Sequence, residues 1–401
     1  MYEDDEPTDP NLVIPKVLRG PAASLTSAPA SDAGTSNPPP PPRTAGNIGG
    51  PGAVNASSQI FLGPIDSLMK DPTITEIMIN DLRNVMIERD GKMSYSGFSF
   101  QSLDDLNLVV RTLLDATGKF LTPESPYVDT SLPDGSRVHL VGSPITQKGP
   151  CITIRKFPKT SFTLKDLVSK RTLDFRMNEF LIGCVQARIN LLISGGTGSG
   201  KTSLLNALIH PIPHPAPNVT FEDTPELVMS HRNSVSMQTK PQTPSSPEVN
   251  ARQLVVNSLR MRPDRIIVGE CRKGEALDML QAMNTGHSGS ITTVHANFPR
   301  DALSRIETLC LMSEVNLPLM AIRKQMVSAL DLIVHVRRYR DGVRRISSIM
   351  ELTGLEGEVP TLQEIFLYDE TAGAFRCTGF VPTFFEEFES RGVSLRKDFF
   401  A

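Results

Sequence analysis

Residues 195–202 read Gly-Gly-Thr-Gly-Ser-Gly-Lys-Thr, an instance of G-x-x-x-x-G-K-[ST], and they constrain the fold more than any other stretch of the chain. The pattern has meaning only between a buried strand and a helix. Ile189-Asn190-Leu191-Leu192-Ile193 before it reads as such a strand, and Ser203 to Ile209 after it as a helix. In that setting successive backbone N–H groups converge on phosphate oxygens, and the helix N-terminus adds its partial positive charge. Gly195, Gly196, Thr197, Gly198, Ser199 and Gly200 are then the cradle, Lys201 reaches the β/γ-phosphates, and Thr202 ligates Mg²⁺. The expected ligand is a nucleoside triphosphate with Mg²⁺.

A strand–loop–helix of this kind belongs to an α/β domain, and the following residues continue the alternation. Asn218 to Asp223, Arg265 to Val268 and Gly289 to Val294 read as strands; Pro247 to Arg260 and Gly274 to Met283 read as helices. Strands alternating with helices imply a largely parallel sheet. A helix from about Asp174 to Ala187 precedes the first strand, so the domain is expected to span 174–401, after a linker over 159–173.

Residues 59–158 have a different texture. A helix is expected from Leu103 to Asp115, with Leu106, Val109, Val110, Leu113 and Leu114 at helical spacing. Strand-like runs surround it at Ile74–Ile79, 84–89, Arg137–Val141 and Ile152–Phe157, with turns at Asp90-Gly91 and Pro133-Asp134-Gly135. This is a small α+β domain. Residues 1–58 hold 11 of the 32 prolines, five of them in the run Pro38–Pro42. Such a segment buries too little apolar surface to offset chain entropy, so it reads as a disordered tail. The proline run serves either as a plain tether or as a polyproline ligand.

In a parallel sheet the ligand lies beyond the carboxyl ends of the strands. Four transitions from apolar strand to polar residue mark those ends: the glycine loop, Glu222-Asp223 with Glu226 behind, Gly269-Glu270, and Val294-His295. Glu222 and Asp223 fit a helix cap as well as a metal–water network; a triphosphate site favours the second. Glu270 follows Ile266-Ile267-Val268-Gly269, must face a polar cleft, and is the candidate for orienting the attacking water. His287 and His295 fit either a γ-phosphate relay or a structural role.

The arginine-rich stretch 336–345 turns at Asp341-Gly342 and reads as a hairpin, solvated or protein-facing. The net charge of −3 gives no global basic field, so no nucleic-acid partner is expected. Five scattered cysteines without C-x-x-C indicate neither zinc nor disulfides and suit a reducing cytosol. No apolar run approaches membrane-spanning length, so membrane contact is expected only through partners.

Taken in order, several blocks resemble the secretion-ATPase superfamily, most closely its tight-adherence (Flp) pilus branch of CpaF/TadA-like motors. They are residues 63–77, 132–138, 152–157, the glycine loop, 221–227, 259–270 and 282–297. The resemblance implies a RecA-like P-loop NTPase domain with a smaller N-terminal α+β (PAS-like) domain. It also implies a homohexamer at the cytoplasmic face of the inner membrane, working with inner-membrane pilus or secretion platform proteins. Its Asp box matches Glu222 and Asp223, its atypical Walker B matches Gly269 and Glu270, and its His box matches His287 and His295. It further places Arg137 and Arg155 near the γ-phosphate. Two departures stand out: no helical bundle precedes Gly63, and Ser236-Met237-Gln238-Thr239-Lys240 replaces an arginine-bearing segment. Alternatives are a type IV secretion motor moving effectors or DNA, or a nucleotide-binding regulatory paralogue with little turnover.

Overall fold

A computed structural model describes residues 62–89, 91–157, 161–229, 231–242 and 246–401. The tail expected over 1–58 lies outside the described residues.

The first domain comprises α1 (Asp66–Lys70), β1 (Ile74–Ile79), β2 (Val85–Arg89), β3 (Lys92–Tyr95), α2 (Leu103–Thr117), β4 (Tyr127–Ser131), β5 (Arg137–Val141) and β6 (Cys151–Arg155). Its six strands form an antiparallel sheet in the order β3-β2-β1-β6-β5-β4. Ser102 and Asp105 start α2 with a reciprocal capping box, and Gly118 ends it in the left-handed region at φ 63°. The helix therefore runs two residues past the Asp115 expected from its apolar spacing. Leu106, Val109, Val110 and Leu113 form its buried stripe and share a core with Ile77, Ile79, Leu140 and Ile154 of the sheet.

The second domain contains α3 (Leu164–Ser169), α4 (Phe175–Gln186), β7 (Leu191–Gly195), α5 (Lys201–Ile209), β8 (Asn218–Glu222), β9 (Ser234–Gln238), α6 (Ala251–Ser258), β10 (Arg265–Val268), α7 (Glu275–Asn284) and β11 (Ile291–His295). After these come α8 (Pro299–Leu311), α9 (Leu319–Ala329), β12 (Leu332–Arg338), β13 (Arg344–Glu356), β14 (Val359–Asp369), β15 (Ala374–Cys377) and α10 (Phe385–Ser390). The sheet order is β15-β14-β13-β12-β7-β11-β10-β8-β9. From β12 to β9 all neighbours are parallel; β13, β14 and β15 extend the sheet antiparallel. The largely parallel sheet expected from the alternation is the one observed.

Central strand β7 is buried along its whole length, as a strand covered on both faces must be. Leu191, Leu192 and Ile193 are fully buried, each worth about 1.5–3 kcal/mol of transfer free energy. The segment 159–173, read as a linker, carries α3, which Thr163 and Asp166 start with a capping box. Leu164 and Leu167 join Phe180 and Leu205 in the core, so the described part of this connection, 161–173, packs on the second domain. The helix expected from Pro247 begins at Ala251 instead. Asn250 caps it reciprocally with Gln253, and Val249 bonds across to Lys240 in an extended conformation. No described helix is long and apolar enough to cross a membrane. Both domains lie within one compact unit, Ala56–Ala401.

Candidate functional site

Parallel pairing aligns the strand ends. His295 pairs with Gly195 across β11 and β7, and Val268 with Phe221 across β10 and β8. The glycine loop, Glu222-Asp223, Glu270 and His295 thus emerge along one edge, where they line a cleft of about 760 Å³. The opposite wall comes from the first domain and includes Arg137, Arg155 and Phe157.

Glycine is required where the loop begins and where the helix begins. A Cβ on Gly195 would strike the carbonyl oxygen of Val336 and lie 2.5 Å from the Ser199 hydroxyl. Gly200 precedes α5 at φ 99°, in the region that side chains disfavour. Whereas α2, α3, α4 and α6 carry side-chain N-caps, α5 has none. It shares that with α7 to α10, but its first turn opens on the cleft, where an anion could meet its N–H groups. Lys201 folds back over the loop, its Nζ donating to the carbonyls of Gly195 at 2.9 Å and Gly196 at 3.0 Å. Behind the loop, buried His335 meets the Ser194 hydroxyl at 2.8 Å. Burial pushes its imidazole down to about 4, so it is neutral near pH 7.

Glu222 and Asp223 leave β8 in different surroundings. The Glu222 carboxylate accepts the backbone N–H groups of Glu226 at 3.0 Å and Leu227 at 3.1 Å. It also packs on Gly269, where an added Cβ would lie 2.8 Å from its Cγ. Burial drives its pKa up to about 7, against the downward pull of those two N–H groups. The folded protein therefore keeps a proton that an unfolded glutamate, titrating near 4.5, has released. This contribution to stability is fully present below the unfolded value and is lost as pH rises through about 7. Glu222→Gln should abolish that slope. Melting curves from about pH 5 to 8 should show the variant gaining on the wild type as pH rises; a constant difference would refute the assignment.

Asp223 is exposed and pairs with Arg272 at 3.0 Å. The same guanidinium grips Glu270, with Nη2 at 2.6 Å and Nε at 2.8 Å from Oε2. Arg272 thus ties the carboxylate after β10 to the one after β8, a link that sequence reading missed. Its signal was present, two residues beyond Glu270, but the partner on β8 follows only from the β8–β10 pairing.

Arg137 opens β5, Arg155 closes β6, and the two stand directly opposite in the register. Like charges facing across a sheet repel, so an anion must lie between them. That anion is Glu226 of the second domain, 3.2 Å from Arg137 and 4.0 Å from Arg155. The turn at Pro133–Ser136 sets up the start of β5. Asp134 accepts the Ser136 N–H, and the Ser136 hydroxyl accepts the Phe157 N–H.

Of the residues singled out in sequence, Thr197 to Thr202, Glu222, Asp223, Glu270, His295, Arg137 and Arg155 line the cleft. Gly195 and Gly196 form its base beneath Lys201. His287 is not brought to it. It precedes β11, at the opposite edge of the sheet from His295, with its Nδ1 3.2 Å from the Ala282 carbonyl. Among the described residues no group of three or more His, Cys, Asp or Glu side chains is arranged to hold a metal ion. A divalent cation here would have to share ligands with bound phosphate and water, as Mg²⁺ commonly does.

A model of the type II/IV secretion system protein family matches residues 59–354. The conjugal transfer protein TrbB of Rhizobium radiobacter is 35% identical over 289 residues, covering 71% of this chain and 86% of that protein. The type IV secretion system protein VirB11 of Bartonella henselae is 32% identical over 313 residues, covering 69% of this chain and 88% of that protein. The crystal structure of the pilus retraction motor PilT with bound ADP aligns with a TM-score of 0.50 at 21% identity, over 69% of this chain and 78% of that one. That last likeness concerns the fold alone.

Proposed function

The chain belongs to the type II/IV secretion system protein family, and on that premise we propose that it is an ATPase motor whose two domains close on a nucleotide held between them. The observation that carries this reading is the composition of the cleft. One wall offers the uncapped N-terminus of α5 with Lys201, the other an arginine pair from a separate domain, and the carboxylate of Glu270 lies at a strand end on the same edge.

In this reading the amides of Gly195 to Thr202 hold the phosphate chain and Lys201 neutralises its outer charge. Thr202 supplies the protein's ligand to Mg²⁺. The ion, when bound, offsets charge on the β- and γ-phosphate oxygens. Glu270 orients the attacking water, steadied by Arg272, which leaves its other carboxylate oxygen outside that grip. Glu222 and Asp223 shape the metal–water network. Arg137 and Arg155 exchange Glu226 for the γ-phosphate as the domains close. An arginine so placed contributes about 10³–10⁵ in rate in other phosphoryl-transfer enzymes. His295 faces the γ-phosphate end of the cleft, and His287 takes no part within a single chain.

We further propose a homohexamer at the cytoplasmic face of the inner membrane, passing domain motion to platform proteins of a tight-adherence pilus. The ordered sequence blocks from 63–77 to 282–297 support that branch. A type IV secretion role is supported by the similarity to TrbB and VirB11, each matched over more than four-fifths of its length. A deletion strain complemented with wild type or Glu270→Gln separates the two. Loss of surface pili by microscopy supports the first; intact pili with lost conjugation or effector export support the second. Normal pili and normal transfer would overturn both. Steady-state turnover no higher than that of Glu270→Gln would point instead to a regulatory paralogue.

A further inference from the structure

The arginine hairpin identified in sequence is not solvated as a whole. Its β12 and β13 strands pair Arg338 with Arg344 across the Asp341-Gly342 turn. Arg345 and Arg337 secure it within the second domain. Arg345 pairs with Asp341 at 2.7 Å and lies over the Tyr339 and Tyr368 rings, and Arg337 pairs with Glu370 at 3.0 Å. Arg338 and Arg344 instead leave the hairpin and meet Gly91 and β2 of the first domain. Arg338 Nη2 donates to the Gly91 carbonyl, and Arg344 Nη2 lies 3.6 Å from Glu88 Oε1.

Arg344 also reaches the glycine loop. Its Nε donates to the Gly198 carbonyl at 2.9 Å, while its Cδ packs close enough to Gly200 that an added Cβ there would lie 3.2 Å away. Gly91 is tight against the other end of the same side chain: a Cβ there would lie 2.9 Å from Nη1. One planar guanidinium thus spans the loop carbonyl and the first domain's carboxylate, with glycine on either side leaving room for it. Arginine is suited to this because its donors form a rigid fork; lysine would offer a single charged point. When the loop changes shape around Gly198, or β2 moves, both contacts cannot persist unchanged.

We propose that Arg344 is a positioning residue, a strut through which the state of the glycine loop is transmitted to the N-terminal domain. The proposal rests on the nucleotide reading above and adds the connection by which loop occupancy moves the domain. It gives two sites and a shared element that both bias, as physical coupling requires.

The test is deuterium exchange on the full chain with and without ADP and Mg²⁺, followed at 195–202 and at 85–95. In the wild type both regions should slow on nucleotide addition. In Arg344→Ala the response at 195–202 should remain, while that at 85–95 should fall about fivefold or more. Glu88→Gln should weaken the 85–95 response in the same direction, and Arg344→Lys should not restore it. An unchanged 85–95 response in Arg344→Ala overturns the strut. So does loss of the 195–202 response in that variant, which would make Arg344 part of the nucleotide grip. If Arg344→Ala does not fold, Glu88→Gln decides: an unaltered 85–95 response there overturns the proposal. A wild type responding at 195–202 alone refutes the strut and leaves the nucleotide reading standing; no response in either region refutes both.

Discussion

Lys201→Ala is expected to reduce ATP turnover by roughly 10²–10³-fold or more, the cost of deleting one preorganised charge-stabilising donor. The lysine is half-buried, and its ammonium already donates to two loop carbonyls. Burial lowers its pKa from the ordinary value, while Glu270 pulls it back up. Alanine would remove the cation opposite the outer phosphates and leave the Gly195 and Gly196 carbonyls without their donor. Calorimetric titration with ADP and Mg²⁺ should show weakened binding alongside the loss of phosphate release. Circular dichroism would establish that the variant folds. Turnover within about threefold of wild type would mean that the loop does not grip phosphate, since even one charge-assisted hydrogen bond is worth more than that.

Glu270→Gln should separate binding from chemistry. The amide keeps the shape of the side chain and an oxygen to accept from Arg272, but it cannot act as a base towards water. We expect kcat to fall by about 10²–10⁴-fold with little change in nucleotide affinity. A variant that loses affinity and keeps its rate would assign Glu270 to structure. Because Asp223 shares Arg272 with Glu270, an effect on kcat at both positions would be coupled rather than additive.

What the sequence made legible was what lies close along the chain. The glycine loop, its flanking strand and helix, and the carboxylates at Glu222 and Glu270 are each defined by a few consecutive residues. The features that sequence did not reveal depend on which strands become neighbours. Arg272 reaches Asp223, Glu226 reaches Arg137, and Arg344 reaches Gly198 across separations that no local pattern records. His287 shows the converse. Spacing along the chain placed it near His295, but a parallel strand carries its two ends to opposite edges of the sheet. Edge strand β9 was missed because Ser234–Gln238 is largely exposed and lacks the apolar run that marks its neighbours.

The facing arginines of the first domain depend on strand alignment. Side chains on a strand alternate sides, so sliding β6 by a single residue against β5 would turn Arg155 away from Arg137. The buried alternation of Val138, Leu140, Ile152 and Ile154 and the pairing of β6 with β1 hold this alignment. The connection 142–150 joins the two strands at their far end, roughly 15 Å from the guanidinium groups. Gly142 anchors it, donating to the Pro126 carbonyl and accepting from Ile145 and Thr146, where an added Cβ would make the Leu121 side chain shift. A core substitution on β5 or β6 that slipped this register would therefore act as a charge-reorienting change, although it touches no charged residue of the cleft.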